Sequence, residues 1–117
     1  MSILIWNVRG FNDPLKQKRV VGRIRLLKVN IVCLLETRVK ENKSQSIVDR
    51  HFQGWKVIHN YVSAINGRIW VLWTGQVHVD VIDEMDQCVT CNVQVNSYQF
   101  VLSAIYGMNE GSDRRRL

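Results

Sequence analysis

Few residues in this chain are of the kinds that disrupt or staple a fold. Its 117 residues include one proline, seven glycines and three cysteines. A single proline leaves helices and strands free to run, and a 46% apolar fraction with 22% charged residues excludes wholesale disorder. No stretch approaches the roughly 20 apolar residues that span a bilayer. The Met1-Ser2 start leads straight into an apolar run, with no basic segment or small-residue cleavage site behind it. The expectation is a soluble, intracellular chain of one domain with no membrane partner.

Three is an odd number of cysteines, which argues against a disulfide framework. Cys88 and Cys91 have C-x-x-C spacing. Around them Val89, Cys91, Val93 and Val95 share one parity and Thr90, Asn92 and Gln94 the other. A strand would put the two sulfurs on opposite faces, so they read as ordinary strand cysteines. Acidic residues are missing from the stretch Pro14 to Lys28, which holds six basic ones: Lys16, Lys18, Arg19, Arg23, Arg25 and Lys28. Arg114 to Arg116 form a second basic cluster, and the net charge is +6. This balance suits a polyanion, and equally a solvated helix face with a charged tail.

No repeat, low-complexity tract or linker interrupts the chain. Ile3 to Trp6 reads as a strand, and turn formers follow as far as Pro14, where a helix can begin. Val20, Val21, Ile24 and Leu27 recur at helical spacing through residue 28, with the basic residues on the other face. Ile31 to Leu35 is continuously apolar, as in a strand buried on both faces. Residues 42–52 suggest a weaker helix. Strands are predicted near 56–62, 68–74, 77–82, 88–95 and 98–106, with turns at Asn66-Gly67 and Asn96-Ser97. Gly111 to Leu117 reads as the start of a further helix. The fold class expected is α+β, with one mixed sheet and two helices.

Asn7 ends the first strand and Glu36 the second. If those strands are parallel neighbours, both side chains emerge at the carboxyl edge of the sheet, where open α/β sheets place ligands. A carboxylate there is placed to hold a hard cation such as magnesium, and an amide beside it to bond a phosphate oxygen. Turn formation by Asn7 and capping by Glu36 explain the same residues. Tyr106, at the end of another apolar strand, could donate to a phosphoryl oxygen. Its ring could equally be packed with a wet hydroxyl.

Four segments taken in order are more specific. They are Trp6-Asn7-Val8-Arg9-Gly10-Phe11-Asn12-Asp13-Pro14, Leu34-Leu35-Glu36-Thr37-Arg38, Gly67-Arg68-Ile69-Trp70-Val71-Leu72-Trp73 and Tyr106-Gly107-Met108-Asn109. Together they resemble the endonuclease/exonuclease/phosphatase superfamily, and within it the apurinic-type endonuclease domain of plant LINE-like, non-LTR retrotransposons. The resemblance runs from Ile3 to Leu117. It implies a phosphodiesterase that uses a divalent cation, usually magnesium, on DNA. It implies an active-site role for Asn7 near the metal and phosphate, metal binding by Glu36, and a place for Tyr106 near the scissile phosphate. Asn109 would match a nearby polar position, while Met108 stands where proline is common.

The family's later Asp-x-Asn and Ser-Asp-His motifs do not occur in this sequence. His51, His59 and His78 all precede Tyr106 and read as surface or strand histidines. The expectation is therefore the N-terminal half of a four-layer α/β/β/α sandwich, inactive alone. Half a sandwich would leave an inner sheet face uncovered, with Trp70 and Trp73 making it prone to self-association. A non-catalytic nucleic-acid-binding module and an inert remnant are the alternatives. Nuclear localisation is implied only through the resemblance, and no nuclear import cluster is evident.

Overall fold

The first apolar run forms strand β1 (Ile3–Asn7), and Asp13 then starts helix α1 (Pro14–Leu27). The Asp13 side chain accepts a hydrogen bond from the Leu15 amide at 3.1 Å, and Pro14 fills the first helical turn, where no amide donor is needed. Lys28 closes the helix in the left-handed region, φ 53°. Then come β2 (Ile31–Leu35), α2 (Glu41–His51), β3 (Lys56–His59), β4 (Ile69–Trp73), β5 (His78–Glu84), β6 (Cys88–Val95) and β7 (Tyr98–Ile105). This computed structural model describes residues 1–65 and 67–107. Asn66, Asn109, the expected helix from Gly111 and the Arg114–Arg116 cluster lie outside the described residues.

The strands form two sheets. One is mixed, in the order β1-β2-β4-β3, with β1 parallel to β2 and the other pairs antiparallel. The other, β5-β6-β7, is antiparallel throughout. The α+β class, the two helices and the mixed sheet are as expected, but the strands after Trp73 build a separate sheet instead of extending the first. Asn96, at φ 54°, and Ser97 make the predicted two-residue hairpin, with Val95 paired to Tyr98. β3 stops at His59, short of the expected residue 62. Asn60 turns the chain there, its carbonyl accepting from the Ser63 and Ala64 amides.

Alternation along β2 and β4 sorts the core into two layers. Val32, Leu34, Trp70 and Leu72 face the helices, meeting Val20, Val21 and Ile24 of α1 and Ile47 and Val48 of α2. Ile31, Cys33, Leu35, Ile69, Val71 and Trp73 face the second sheet, meeting Val79, Val89, Cys91, Val93 and Ala104. The layer order is therefore helices, mixed sheet, antiparallel sheet. Every residue of β2 and β4 is buried, which explains their unbroken apolar runs.

The inner face expected to be uncovered is covered by the second sheet at β2 and β4 and stays uncovered at β1, where Ile3 and Ile5, in register with Ile31 and Cys33, are exposed. Trp70 and Trp73 point to opposite sides of β4 and both are buried. Trp70 donates from its indole to the Tyr61 hydroxyl at 3.0 Å and meets Phe11 edge-on. Other exposed apolar side chains include Leu15 and Leu26 on α1, Val62 and Ile65 after β3, Ile82 on β5, and Tyr98, Val101 and Ile105 on β7. The tryptophans therefore give no ground for self-association. The basic residues of α1 lie on its outer side, all exposed except the half-buried Lys16. Among the described residues, no helix is long and apolar enough to cross a membrane.

Cys33 and Cys91 sit between the sheets, where burial, and then the charge of Cys91 beside Cys33 and of Cys88 beside Cys91, push the thiols up to about 12 and about 11. Cys88, on the opposite face of β6 as its parity required, is half-buried, and all three are free. With a thiol-alkylating reagent at neutral pH, Cys88 is expected to react in the folded chain. Cys33 and Cys91 should react only on unfolding. Rapid modification of all three in the native state would mean that the second sheet does not cover the first.

Candidate active site at the carboxyl edge of the mixed sheet

Because β1 and β2 are parallel with Asn7 opposite Leu35, Asn7 and Glu36 reach the same edge of the sheet, as expected. Asn7 shares the face of β1 that carries Ile3 and Ile5, and it stays exposed. Its side-chain oxygen accepts from the Arg9 amide at 3.1 Å, so it does shape the turn that follows. Arg9 and Gly10 then take positive φ angles of 51° and 98°.

Glu36 leaves β2 in the left-handed region at φ 58°, and Arg38 repeats that conformation at 56°. For residues with a side chain this backbone is unfavourable, by roughly 1–2 kcal/mol each. The surroundings impose it. The Gly10 amide donates to the Glu36 carbonyl and the Phe11 amide to the Thr37 carbonyl, both at 2.7 Å. The Thr37 amide donates to the Arg68 carbonyl at 3.3 Å, and the Arg38 amide to the Gly67 carbonyl at 2.9 Å. The Thr37 hydroxyl also donates to Gly67, at 2.9 Å, fully buried. Gly67, at φ 65°, has no room for a side chain, because a Cβ there would fall 2.6 Å from the Val39 carbonyl and against the Tyr61 ring. The loops after β1 and β2 and the approach to β4 are thus one interlocked unit.

The left-handed turn carries the Glu36 side chain across to the second sheet. The Tyr106 hydroxyl donates to Glu36 Oε1 at 3.0 Å, a buried bond between residues 70 positions apart. Arg38 pairs with the same oxygen at 3.2 Å. Glu36 is only 5% exposed, and its other oxygen, Oε2, is buried with no hydrogen-bond partner among the described residues. Arg68 lies over the Tyr106 ring, its guanidinium carbon 5.3 Å from the centroid. These residues and Gly67 line a cavity of about 330 Å³.

The structure thus brings Glu36 and Tyr106 together and sets Asn7 at the same edge, outside the lining of that cavity. The three histidines sit as expected, on the end of α2, on β3 and on β5. Three contributors had no role assigned from sequence. Arg38 and Arg68 lie inside quoted motifs, but nothing in their spacing shows that both reach one carboxylate–tyrosine pair. Asn60 carried no signal except the polar break that ends β3. It is fully buried and uses its whole amide. Its oxygen accepts from the Arg68 and Ile69 amides, and its nitrogen donates to the Met85 and Asp86 carbonyls. Since the Tyr106 amide donates to the neighbouring Gln87 carbonyl, Asn60 braces the approach to β4 against the turn that holds Tyr106.

Desolvation, then the hydrogen bond to Glu36 and its charge, raise the Tyr106 phenol above the ordinary value of 10.0, against a lowering by Arg68 and Arg38. The phenol is a proton donor at neutral pH. Since its folded value lies above its unfolded value, the associated stability is complete below pH 10.0 and is lost as pH rises through the folded value. In a phenolate absorbance titration, Tyr106→Phe is expected to remove a transition lying above that of free tyrosine. Loss of a transition at or below the free value would mean that the bond to Glu36 is not formed. Thr37→Val should lower unfolding stability by about 1–2 kcal/mol through its lost buried hydrogen bond. Glu36→Gln should cost less than about 1 kcal/mol, because removing a buried charge with an unpaired oxygen offsets its lost contacts. Denaturant unfolding of the two variants checks this contrast.

No family model matches the chain, and no curated protein matches it. Solved structures do. The endonuclease domain of TRAS1, a telomere-specific non-LTR retrotransposon, matches with a TM-score of 0.64 at 15% identity, over 91% of this chain and 45% of that one. AP endonuclease LMAP from Leishmania major matches at 0.66 and 16%, over 92% and 40%. Truncated Caenorhabditis elegans TDP2 matches at 0.71 and 14%, over 97% and 48%. The chain therefore spans about half the length of the solved structures it matches, or less. At such identities the likeness is one of fold, and the fold is that of the endonuclease/exonuclease/phosphatase proteins.

Proposed function

We propose that this chain carries one side of a divalent-metal-dependent phosphodiesterase site that acts on DNA and is of retrotransposon origin. The observation that carries this reading is Glu36 Oε2, a buried carboxylate oxygen without a partner among the described residues, at a sheet edge where its twin oxygen is held by Tyr106 and Arg38. An orphaned charged oxygen is costly unless something fills its place. A hard cation fits. Magnesium binds oxygen, commonly through only one or two protein carboxylates, and completes its shell with water and substrate phosphate. Asn7, whose carbonyl keeps a second lone pair beside its bond to Arg9, is the second candidate ligand. Such an ion supplies charge stabilisation at a phosphoryl group and a more acidic bound water.

The chain's own residues have simpler tasks. Tyr106 has one proton to donate and gives it to Glu36, which fixes the carboxylate and leaves Oε2 open. Its ring stays within reach of a phosphate seated in the same cavity. Asn109 lies outside the described residues, and its proposed part rests on the motif alone.

In this reading the 117-residue chain does not turn over by itself. The sequence has no Asp-x-Asn or Ser-Asp-His motif, and the described residues form no cluster of three or more His, Cys, Asp or Glu side chains. Groups that act as a unit in catalysis are strongly non-additive, so half a set leaves little of the rate. The endonuclease names of the matched structures and the single-strand DNA product bound by Danio rerio TDP2 support DNA as the substrate class.

Metal binding and cutting are best measured separately. Manganese is expected to broaden the amide resonances around Glu36 and Tyr106, and Glu36→Ala to abolish this. In a supercoiled-plasmid assay with magnesium, nicking should not exceed the Glu36→Ala or EDTA background. Broadening that survives in Glu36→Ala, or never occurs, would sink the metal reading. Salt-dependent DNA binding without it would leave a binding module based on α1. Magnesium-dependent nicking that is lost in Glu36→Ala would overturn the claim of inactivity instead.

A further inference from the structure

The cavity beside Glu36 has more positive charge than the carboxylate can use. Its lining holds two guanidinium groups, from Arg38 and Arg68, against one carboxylate, which leaves one positive charge in excess. Arg38 is partnered by Glu36, with its side chain still 62% exposed. Arg68 is half-buried over the Tyr106 ring, and among the described residues neither a hydrogen bond nor an ion pair engages its guanidinium. The contact with the ring face uses the positive charge and none of the N–H donors, which match phosphate oxygens.

Both arginines are also held at the backbone, by hydrogen bonds from other loops. The Arg68 amide donates to Asn60 Oδ1 at 3.2 Å, and its carbonyl accepts from the Thr37 amide at 3.3 Å. The Arg38 amide donates to Gly67 at 2.9 Å, and its carbonyl accepts from Asn12 Nδ2 at 2.9 Å. The backbone part of the ordering that such a site requires is therefore supplied by the fold before any ligand arrives.

We propose that Arg68 and Arg38 form a phosphate subsite, in which Arg68, over the Tyr106 ring, is the principal donor and which seats a backbone phosphate of a nucleic acid beside Glu36. This deepens the phosphodiesterase reading and rests on it for the choice of nucleic acid, but its physical basis is the arginine pair and not the cation. Glu36 at the same cavity explains the restraint of the subsite. Without a cation the carboxylate offsets one guanidinium and repels the incoming anion. Phosphate affinity should therefore rise when that carboxylate is neutralised.

The test uses the full 117-residue chain in EDTA, with a short single-stranded oligodeoxynucleotide and inorganic phosphate as probes and NMR as the readout. The oligonucleotide is expected to shift the Arg68 side-chain and Tyr106 ring signals. Arg68→Gln should weaken its binding about tenfold and reduce the salt slope by about one. Arg68→Lys should fall between, since it keeps the charge but loses the fork. Glu36→Gln should bind at least as tightly as the parent chain, which separates this subsite from the manganese experiment. Arg38→Gln gives a second measure of the pair if Arg68→Gln alters the amide spectrum as a whole.

Unchanged binding in both arginine variants would overturn the proposal. So would a loss as large when Lys18 and Arg23 of α1 are changed to Gln, because binding would then be diffuse attraction. Saturable shifts with inorganic phosphate but none with the oligonucleotide would overturn the assignment to nucleic acid.

Discussion

Everything at this edge depends on how β2 leaves the core. The strand is buried on both faces, between helices on one side and a second sheet on the other. A chain in that position cannot simply fray into solvent, because each exposed backbone group would first lose its partner inside protein. The exit is instead knotted to its neighbours. The Glu36 and Thr37 carbonyls take amides from the loop after β1, and the Thr37 and Arg38 amides reach the approach to β4. The hydrogen bonds that would have continued the sheet are satisfied across three loops. The left-handed turn at Glu36 is the geometric consequence, and it sends a carboxylate into the seam between the two sheets.

That arrangement runs against stability in several places at once. Two residues with side chains occupy a backbone region that favours glycine, a buried carboxylate oxygen has no partner among the described residues, and a phenol is held harder to ionise than in water. Each feature has a local cost, and the two apolar layers packed on either side of β2 and β4 can sustain it. Backbone strain at Glu36 and Arg38 that coincides with an orphaned carboxylate oxygen in one cavity, on a rigid support, marks a site shaped for something other than folding. Asn60 and Thr37, which brace the site, use their groups fully, whereas His59 Nδ1, Thr74 Oγ1 and Glu84 Oε1, which do not line the cavity, are also buried without a partner among the described residues.

Much of this was legible in the residues. β2 announced itself as a continuous apolar run, the start of α1 by Pro14 after a run of turn formers, and the β6–β7 hairpin by Asn96-Ser97. Asn7 and Glu36 could be placed on one edge because a helix between two short strands points to a parallel pair. The split into two sheets was not legible, since alternation in β5, β6 and β7 tells which face is buried but not what buries it. Trp70 and Trp73 misled for the same reason. Three positions apart on a strand, they lie on opposite faces, and only the partner layers show that both faces are covered. The contact between Glu36 and Tyr106 depends on a backbone reversal at Glu36 that the sequence does not signal, because glutamate rarely takes it.

Arg38 and Arg68 show how the same constraint joins fold to chemistry. Arg68 precedes β4, so its position follows from the brace that Asn60 makes at the start of that strand. Arg38 follows the knot at Thr37, so its position follows from the exit of β2. Neither arginine was placed by attraction to the other, and like charges would not meet without a reason. The compensating groups are one carboxylate and one aromatic face, which absorb part of the repulsion and leave the rest directed into the cavity. A fold that fixes two cations by their backbones around a single anion holds an unbalanced field in place. Such a field lowers the free energy of an arriving phosphate without any further movement of the protein.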